Sequence, residues 1–199
     1  MKKFVVMMMI AVLLLSCMAG CGKTETETTA PAVTETTAPA VRLPASALEI
    51  LENVWADYAD DEKFAIIGGN IEANIMDAPG NYDMAYAENL AWNLLVPADQ
   101  IGNVTEAASM IHMMNANNFT CGVFKLAEGV TAADFGATMQ QAVQGNQWMC
   151  GFPETLLIRS FGDTYVLVAF GINDAMTPFE SHLSAVYPDA ETLYNESIG

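Results

Sequence analysis

Residues 154–171 read ETLLIRSFGDTYVLVAFG and carry the strongest fold signal in the 199-residue chain. Branched and aromatic side chains dominate both halves of this stretch, and such side chains favour β-strands. The Gly162-Asp163 pair at its centre is typical of a tight turn between antiparallel strands. The stretch therefore predicts a β-hairpin with strands over residues 154–161 and 164–171.

A second hairpin is predicted upstream of the first. Residues 107–114 and 119–126 are rich in apolar side chains, and Asn115-Ala116-Asn117-Asn118 between them favours a turn. The pattern of residues 107–114 also permits a helix. A final strand is predicted over residues 190–194.

Helix-start residues predict helices before, between and after the hairpins. Ser46, Thr131 and Thr177 are suitable N-caps, because each is followed three positions later by an acidic residue. The predicted helices cover residues 47–59, residues 86–95, a segment from Thr131 to about Gly145, and residues 178–186.

This order of elements predicts the fold class. One or two helices are followed twice by two strands and a helix, and then by a last strand. The packing that suits this order is an α+β single domain, with an antiparallel sheet and helices packed on one face. The domain is predicted over residues 46–199, after a disordered tether.

Residues 1–21 have the layout of a bacterial lipoprotein signal peptide. Two lysines precede twelve uncharged residues at positions 4–15, which is typical of an exported chain. The run Met18-Ala19-Gly20-Cys21 resembles a lipobox, in which the cysteine is acylated. The resemblance implies lipidation of Cys21, and hence a protein held by its acyl chains on the extracytoplasmic face of the cell membrane.

Two alternatives to this anchor remain open. Cys17 follows Leu14-Leu15-Ser16 and fits the same loose lipobox pattern. An uncleaved transmembrane helix over residues 4–22 is the other alternative, because 19 uncharged residues lie near the lower limit for spanning a bilayer.

Residues 22–45 are predicted to form a flexible tether. The sequence TETTAPAV at residues 26–33 is repeated without change at residues 34–41. Its threonine, glutamate, alanine and proline residues bury too little apolar surface to offset the entropy of ordering. The proline residues favour extended conformations, so the tether would hold the domain away from the lipid surface.

The charge of the chain restricts its partners. There are 24 acidic and 7 basic residues, a formal charge of −17, and residues 1–20 contain two of the lysines and no acid. Such a surface repels nucleic-acid phosphates and anionic lipid headgroups, so no nucleic-acid partner is predicted. A cationic protein or peptide is the partner that the charge favours, with an affinity that falls as salt rises.

Cys121 and Cys150 are the two cysteines of the predicted domain. Because an exported chain leaves the reducing cytoplasm, we predict a structural disulfide between them. Two buried free thiols are the first alternative. A catalytic Cys121 with His112 as its base is the second, although only closeness in sequence supports that pair.

The remaining candidates give weak signals for a site. Thioether and imidazole groups that suit copper occur together in Met110, His112, Met113 and Met114, but the spacing of the methionines favours core packing. The acidic stretch of residues 77–83 has calcium-loop spacing, but a proline interrupts it. The sequence contains no P-loop, dinucleotide, serine-hydrolase or zinc-protease motif. No metal site, cofactor or catalytic residue is therefore predicted.

One segment carries a family resemblance. Residues 148–153, WMCGFP, lie between a predicted helix and the hairpin of residues 154–171. This layout resembles uncharacterised small lipoproteins of Gram-positive anaerobes that share a domain of unknown function, over about residues 47–195. The resemblance implies an α+β fold and an extracytoplasmic lipoprotein, and it transfers no catalytic residue.

The function predicted from these features is that of a membrane-anchored, non-enzymatic binding or envelope-accessory module. An anchor, a tether and an acidic domain without catalytic motifs all favour this interpretation. The alternatives are a cell-envelope enzyme that uses carboxylates or the Cys121 and His112 pair, and a metal-binding or accessory subunit of a transporter.

Overall fold

The computed structural model describes residues 43–199. The helices of this part are α1 (Ala47–Asp57), α2 (Leu90–Asn93), α3 (Ala132–Gln144) and α4 (Asn173–Val186), with 3-10 turns at Ile71–Ala73, Met84–Asn89 and Ile101–Asn103. Its strands are β1 (Ile66–Gly68), β2 (Ile75–Met76), β3 (Gly80–Asn81), β4 (Val104–His112), β5 (Phe119–Leu126), β6 (Thr155–Phe161), β7 (Tyr165–Gly171) and β8 (Glu191–Ser197).

All eight strands belong to one antiparallel sheet. Its order is β2-β1-β4-β5-β7-β6-β8, and β3 pairs with β4 beside β1. Both predicted hairpins are confirmed: Phe161 pairs with Tyr165 across the Gly162-Asp163 turn, and Ile111 pairs with Thr120 across the asparagine-rich turn. The final strand is also confirmed, and it extends to Ser197.

Helices cover both faces of this sheet. One apolar cluster joins α1 and α4 to one face, and a second cluster joins α2 and α3 to the other. The α+β class and the antiparallel sheet are confirmed, but the prediction that helices cover one face is wrong. The reason is visible in β7, where every residue is buried, so neither face of the strand can be left to water.

The starts of α1 and α3 follow the predicted caps, and the start of α4 does not. Ser46 Oγ accepts a hydrogen bond from the backbone N–H of Glu49 at 3.0 Å, and Thr131 Oγ1 caps α3 in the same way. The predicted start of α4 at Pro178 is wrong, because the helix begins at Asn173. The backbone N–H of Asn173 donates to Glu154 Oε2 at 2.7 Å, and this cap comes from a distant part of the chain.

The first described residues contact the end of the sheet where β6 turns into β7. The Tyr165 hydroxyl donates to the Ala45 carbonyl at 3.1 Å, and the Ala47 N–H donates to Glu106 Oε1 at 2.6 Å. The predicted signal peptide and most of the predicted tether lie outside the described residues. Among residues 43–199, none of the helices has the length and apolar character needed to cross a bilayer.

Candidate functional site

Cys121 and Cys150 are free thiols in the structure, and this corrects the predicted disulfide. The Cys121 side chain is fully buried in the cluster under α1 and α4. The segment that contains Cys150 follows α3, and its Trp148 packs in the cluster on the opposite face. Cys150 itself is exposed beside the β4–β5 turn, so one thiol lies in the core and the other at the surface.

The two thiols are expected to differ strongly in reactivity. Iodoacetamide added to the native chain should alkylate Cys150, whereas Cys121 should react after unfolding, because its thiol is buried. Peptide mapping of the alkylated chain by mass spectrometry assigns each modification to one cysteine. A native chain in which neither thiol reacts until a reductant is added would restore the bridge.

Cys121 is also poorly suited to nucleophilic catalysis. Burial raises the pKa of its thiol well above the ordinary value, which disfavours the reactive thiolate. His112 is engaged elsewhere: its Nδ1 accepts hydrogen bonds from the backbone N–H groups of Met114 and Asn115 at 3.2 and 3.3 Å. Within residues 43–199 no hydrogen bond joins His112 to Cys121, and the imidazole instead shapes the β4–β5 turn.

The candidate metal ligands are dispersed. Met110 is buried in the core, whereas Met114 is exposed in the turn after β4. The Asp83 carboxylate accepts a hydrogen bond from the Ala85 N–H at 2.9 Å and caps a 3-10 turn. In the described part of the chain, no three His, Cys, Asp or Glu side chains are placed to hold a metal ion.

The other histidine joins two helices. His182 on α4 lies 2.8 Å from Asp57 Oδ2 at the end of α1, and its ring stacks on Tyr58 with the centroids 3.9 Å apart. Glu62 Oε2 lies 3.7 Å from the second ring nitrogen. Because these contacts link α1 to α4 next to the core, they account for His182 as a structural residue.

A different region of the molecule has the properties of a binding site. The four most exposed large apolar side chains of residues 43–199 are Trp92 at 85%, Met114 at 81%, Met149 at 78% and Phe152 at 72% of their full accessible area. The first three line two adjoining cavities of about 540 and 300 Å³. Such a concentration of exposed apolar surface is typical of an interaction site.

We name these two cavities the Trp92 groove, because Trp92, Asn93 and Ala116 line both of them. The sheet forms the floor, and the walls come from α2, from the β4–β5 turn and from the loop after α3. The floor residues are Ile67 on β1, Ile111 on β4, Thr120 on β5 and Phe170 on β7.

Asparagine side chains hold the loop wall in place. Asn117 Nδ2 donates to the carbonyls of Met149 and Gly151 at 2.8 and 3.0 Å, and Asn115 Nδ2 donates to the Cys150 carbonyl at 3.0 Å. Residues 149–151 are thereby tied to the β4–β5 turn. Trp148 also holds the loop against the sheet, because its ring packs on Phe170 of β7 with the ring centroids 5.2 Å apart.

Two non-glycine residues near the groove have left-handed backbone. Leu95, which lines the larger cavity, has φ 57°, and Cys150 in the loop wall has φ 62°. This conformation is unfavourable for residues with a Cβ, and a fold keeps it where the surroundings impose it, often at functional sites. Both positions therefore agree with a groove of defined shape.

The described lining of the groove contains no carboxylate, lysine or arginine side chain, and its one histidine is His112. None of the described residues that line either cavity is Asp, Glu, Lys or Arg, although the whole chain has a formal charge of −17. The polar lining consists mainly of the side-chain amides of Asn74, Asn93, Asn115, Asn117, Asn146 and Gln147. The indole Nε1 of Trp148, on the wall of the larger cavity, is buried and has no hydrogen-bond partner among residues 43–199.

Sequence reasoning missed the Trp92 groove. The sequence signal that could have indicated a binding site is the pair Met149 and Phe152. They lie in a segment without helical or strand periodicity, whose large apolar side chains are not expected to pack in a core. Only the fold shows that this segment lies next to Trp92 and the asparagine-rich turn. No family model matches the chain, and no curated protein or solved structure matches it either.

Proposed function

We propose that this protein is a non-enzymatic binding module of the cell envelope, anchored on the extracytoplasmic face of the membrane through acylated Cys21. The ligand occupies the Trp92 groove. The signal peptide layout, the lipobox-like run and the repeated tether support the anchor.

The observation that carries the binding function is the combination of exposure and charge in the groove. The two cavities are bordered by the exposed side chains of Trp92, Met114 and Met149, and no acidic side chain is among their described lining residues. Tryptophan and methionine are enriched, and charged residues depleted, at the centres of binding interfaces. A volume of about 540 Å³ is within the range of small-ligand sites.

The position of the groove also suits an anchored protein. Leu43 and Ala45 lie at the end of the sheet that carries the β6–β7 turn. The groove lies at the other end, beside the β4–β5 turn and the start of β6. Leu43, the first described residue, therefore lies at the opposite end of the domain from the groove.

Binding to isolated cell envelopes tests this function. The purified full chain is mixed, in detergent, with envelopes from cells that lack it, after the envelopes have been stripped of lipid so that the acyl chains have no bilayer to enter, and the bound fraction is measured. Replacement of Trp92 by alanine should weaken binding about tenfold, as for a central interface tryptophan. Tyr86→Ala is the matched control, because Tyr86 is also an exposed aromatic residue but lines neither cavity.

Salt distinguishes the groove from the acidic surface. Binding through an uncharged groove should change little when salt is raised to roughly 0.5 M, because exposed charge pairs are what salt screens. If binding collapses at high salt and is the same in wild type and Trp92→Ala, the acidic surface binds a cationic partner and the groove is not the site.

A further inference from the structure

We infer that the ligand of the Trp92 groove is an uncharged oligosaccharide; this inference rests on the proposed function of the groove and specifies the class of its ligand. Three features carry it: an exposed indole platform, side-chain amides with unused hydrogen-bonding groups, and a lining in which no described residue has a carboxylate, lysine or arginine side chain.

Trp92 provides the platform. Its indole is 85% exposed and borders both cavities, so a chain of sugar units that spans them would cross its ring. The ring face carries partial negative charge, and the C–H groups on one face of a pyranose carry partial positive charge. Stacking of a sugar on the indole would therefore cover the most exposed apolar side chain of the described residues without placing a charge in the groove.

The amides around the platform match sugar hydroxyl groups. An amide both donates and accepts, as a hydroxyl does. The side chains of Asn146 and Gln147 make no hydrogen bonds within residues 43–199, so both ends of each amide are available. Asn93 donates to the Tyr82 hydroxyl at 2.8 Å and keeps its Oδ1 as an acceptor at the boundary of the two cavities.

The charge of the molecule favours a neutral sugar over an acidic one. The chain has 24 acidic residues, whose field repels polyanions. The groove has no lysine or arginine among its described lining residues to offset that repulsion. A cationic ligand would in turn gain more from the acidic surface than from an uncharged groove.

The sheet itself argues against an extended peptide as the ligand. Peptides commonly bind by adding a strand to an unpaired sheet edge. The four strands that form the floor, β1, β4, β5 and β7, each pair with a neighbour on both sides. No floor strand therefore offers its backbone to a peptide, and recognition falls to side-chain amides and the indole.

The test measures binding of defined probes to the full chain in detergent, by titration calorimetry and tryptophan fluorescence. The probes are cellohexaose and chitohexaose, two uncharged oligosaccharides, with hexagalacturonate as the charged counterpart and an acetylated, amidated leucine-glycine hexapeptide as the peptide. We expect at least one neutral sugar to bind and hexagalacturonate to bind at least about tenfold more weakly.

Variants place the sugar in the groove. Trp92→Ala should weaken sugar binding about tenfold and Gln147→Ala about threefold, while Tyr86→Ala should leave it unchanged. Trp92 and Gln147 are exposed, so loss of folding does not account for these effects. Rescue by Trp92→Phe, but not by Trp92→Leu, would show that the ring face is what binds.

The outcomes separate this inference from the proposed function. If neither neutral sugar binds, the oligosaccharide is overturned, whether or not the hexapeptide binds. Trp92-dependent binding to envelopes then keeps the binding module. Sugar binding that is equal in wild type and Trp92→Ala overturns the placement in the groove. Failure of every probe and of the envelopes overturns both proposals.

Discussion

Replacement of Gly68 by alanine is expected to lower the free energy of unfolding by about 3 kcal/mol, at the upper end of the usual cost of overpacking. Gly68 at the end of β1 and Gly80 at the start of β3 cross with their backbones in contact. A Cβ on Gly68 would lie within 2.5 Å of the Ala78 carbonyl oxygen, and closer still to atoms of Pro79 and Gly80. These are backbone atoms, so no side-chain rotation can relieve the clash.

Gly102→Ala is the matched control for this prediction. A Cβ at Gly102 would meet no atom within 4 Å, so the substitution should leave stability within about 0.5 kcal/mol of wild type. Urea unfolding followed by circular dichroism measures both variants. A Gly68→Ala chain as stable as Gly102→Ala would mean that β1 and β3 move apart without cost.

The same crossing supports the Trp92 groove. Ile67 and Gly69, on either side of Gly68, line the smaller cavity. Ser109 on β4 fixes this bend, since its Oγ accepts from the Gly69 N–H at 3.0 Å and donates to the Gly69 carbonyl at 3.1 Å. Loosening β1 should therefore distort the groove as well as destabilise the fold.

The central part of the fold could be predicted from the sequence because its signals are local. The hairpin of residues 154–171 and the cap at Ser46 each depend on residues close together in the chain. The position of α3 on the opposite face from α1 depends on which side chains of β6 and β7 point to which side. The continuous apolar runs of those strands hide that alternation, so the two-sided covering of the sheet could not be deduced.

The candidate site could not be predicted because its parts are far apart in sequence. Trp92 lies more than twenty residues before the asparagine-rich turn, and more than fifty residues before Gln147. The Asn117 side chain joins the turn to the loop of residues 149–151, a contact that no local pattern encodes. The predicted disulfide was wrong for the same reason, since the burial of Cys121 and the exposure of Cys150 are properties of the fold.

Raising the pH above 10 is expected to destabilise the protein steeply. Burial raises the pKa of the Tyr58 hydroxyl far above 10, and the nearby Cys121 and Glu62 raise it further. Burial also raises the pKa values of Tyr82, Tyr165, Tyr187 and the Cys121 thiol. All of these groups are therefore harder to ionise in the folded chain than in the unfolded chain.

The sign of the effect follows from proton binding. In the unfolded chain tyrosine loses its proton near pH 10 and cysteine near pH 8.5, whereas the folded chain keeps these protons to higher pH. The folded state then binds more protons than the unfolded state, so the free energy of unfolding falls as the pH rises. The stability contributed by each group is fully present below its unfolded pKa and is lost above it, by about 1.4 kcal/mol per pH unit for a fully retained proton.

Tyr58→Phe tests the largest of these contributions. The Tyr58 hydroxyl is buried and has no hydrogen-bond partner within residues 43–199, so its removal should cost little stability at pH 7. Between pH 10 and 11 wild type should lose about 1 kcal/mol more stability than the variant, because the unfolded tyrosine goes from half to nearly fully ionised over this range. Urea unfolding at about pH 7, 9, 10 and 11 gives the free energy of unfolding of both chains, and its slope against pH is compared. Equal slopes for the two chains would show that the Tyr58 hydroxyl ionises as readily in the folded protein as in the unfolded one. That result would contradict the burial of Tyr58 against the ring of His182.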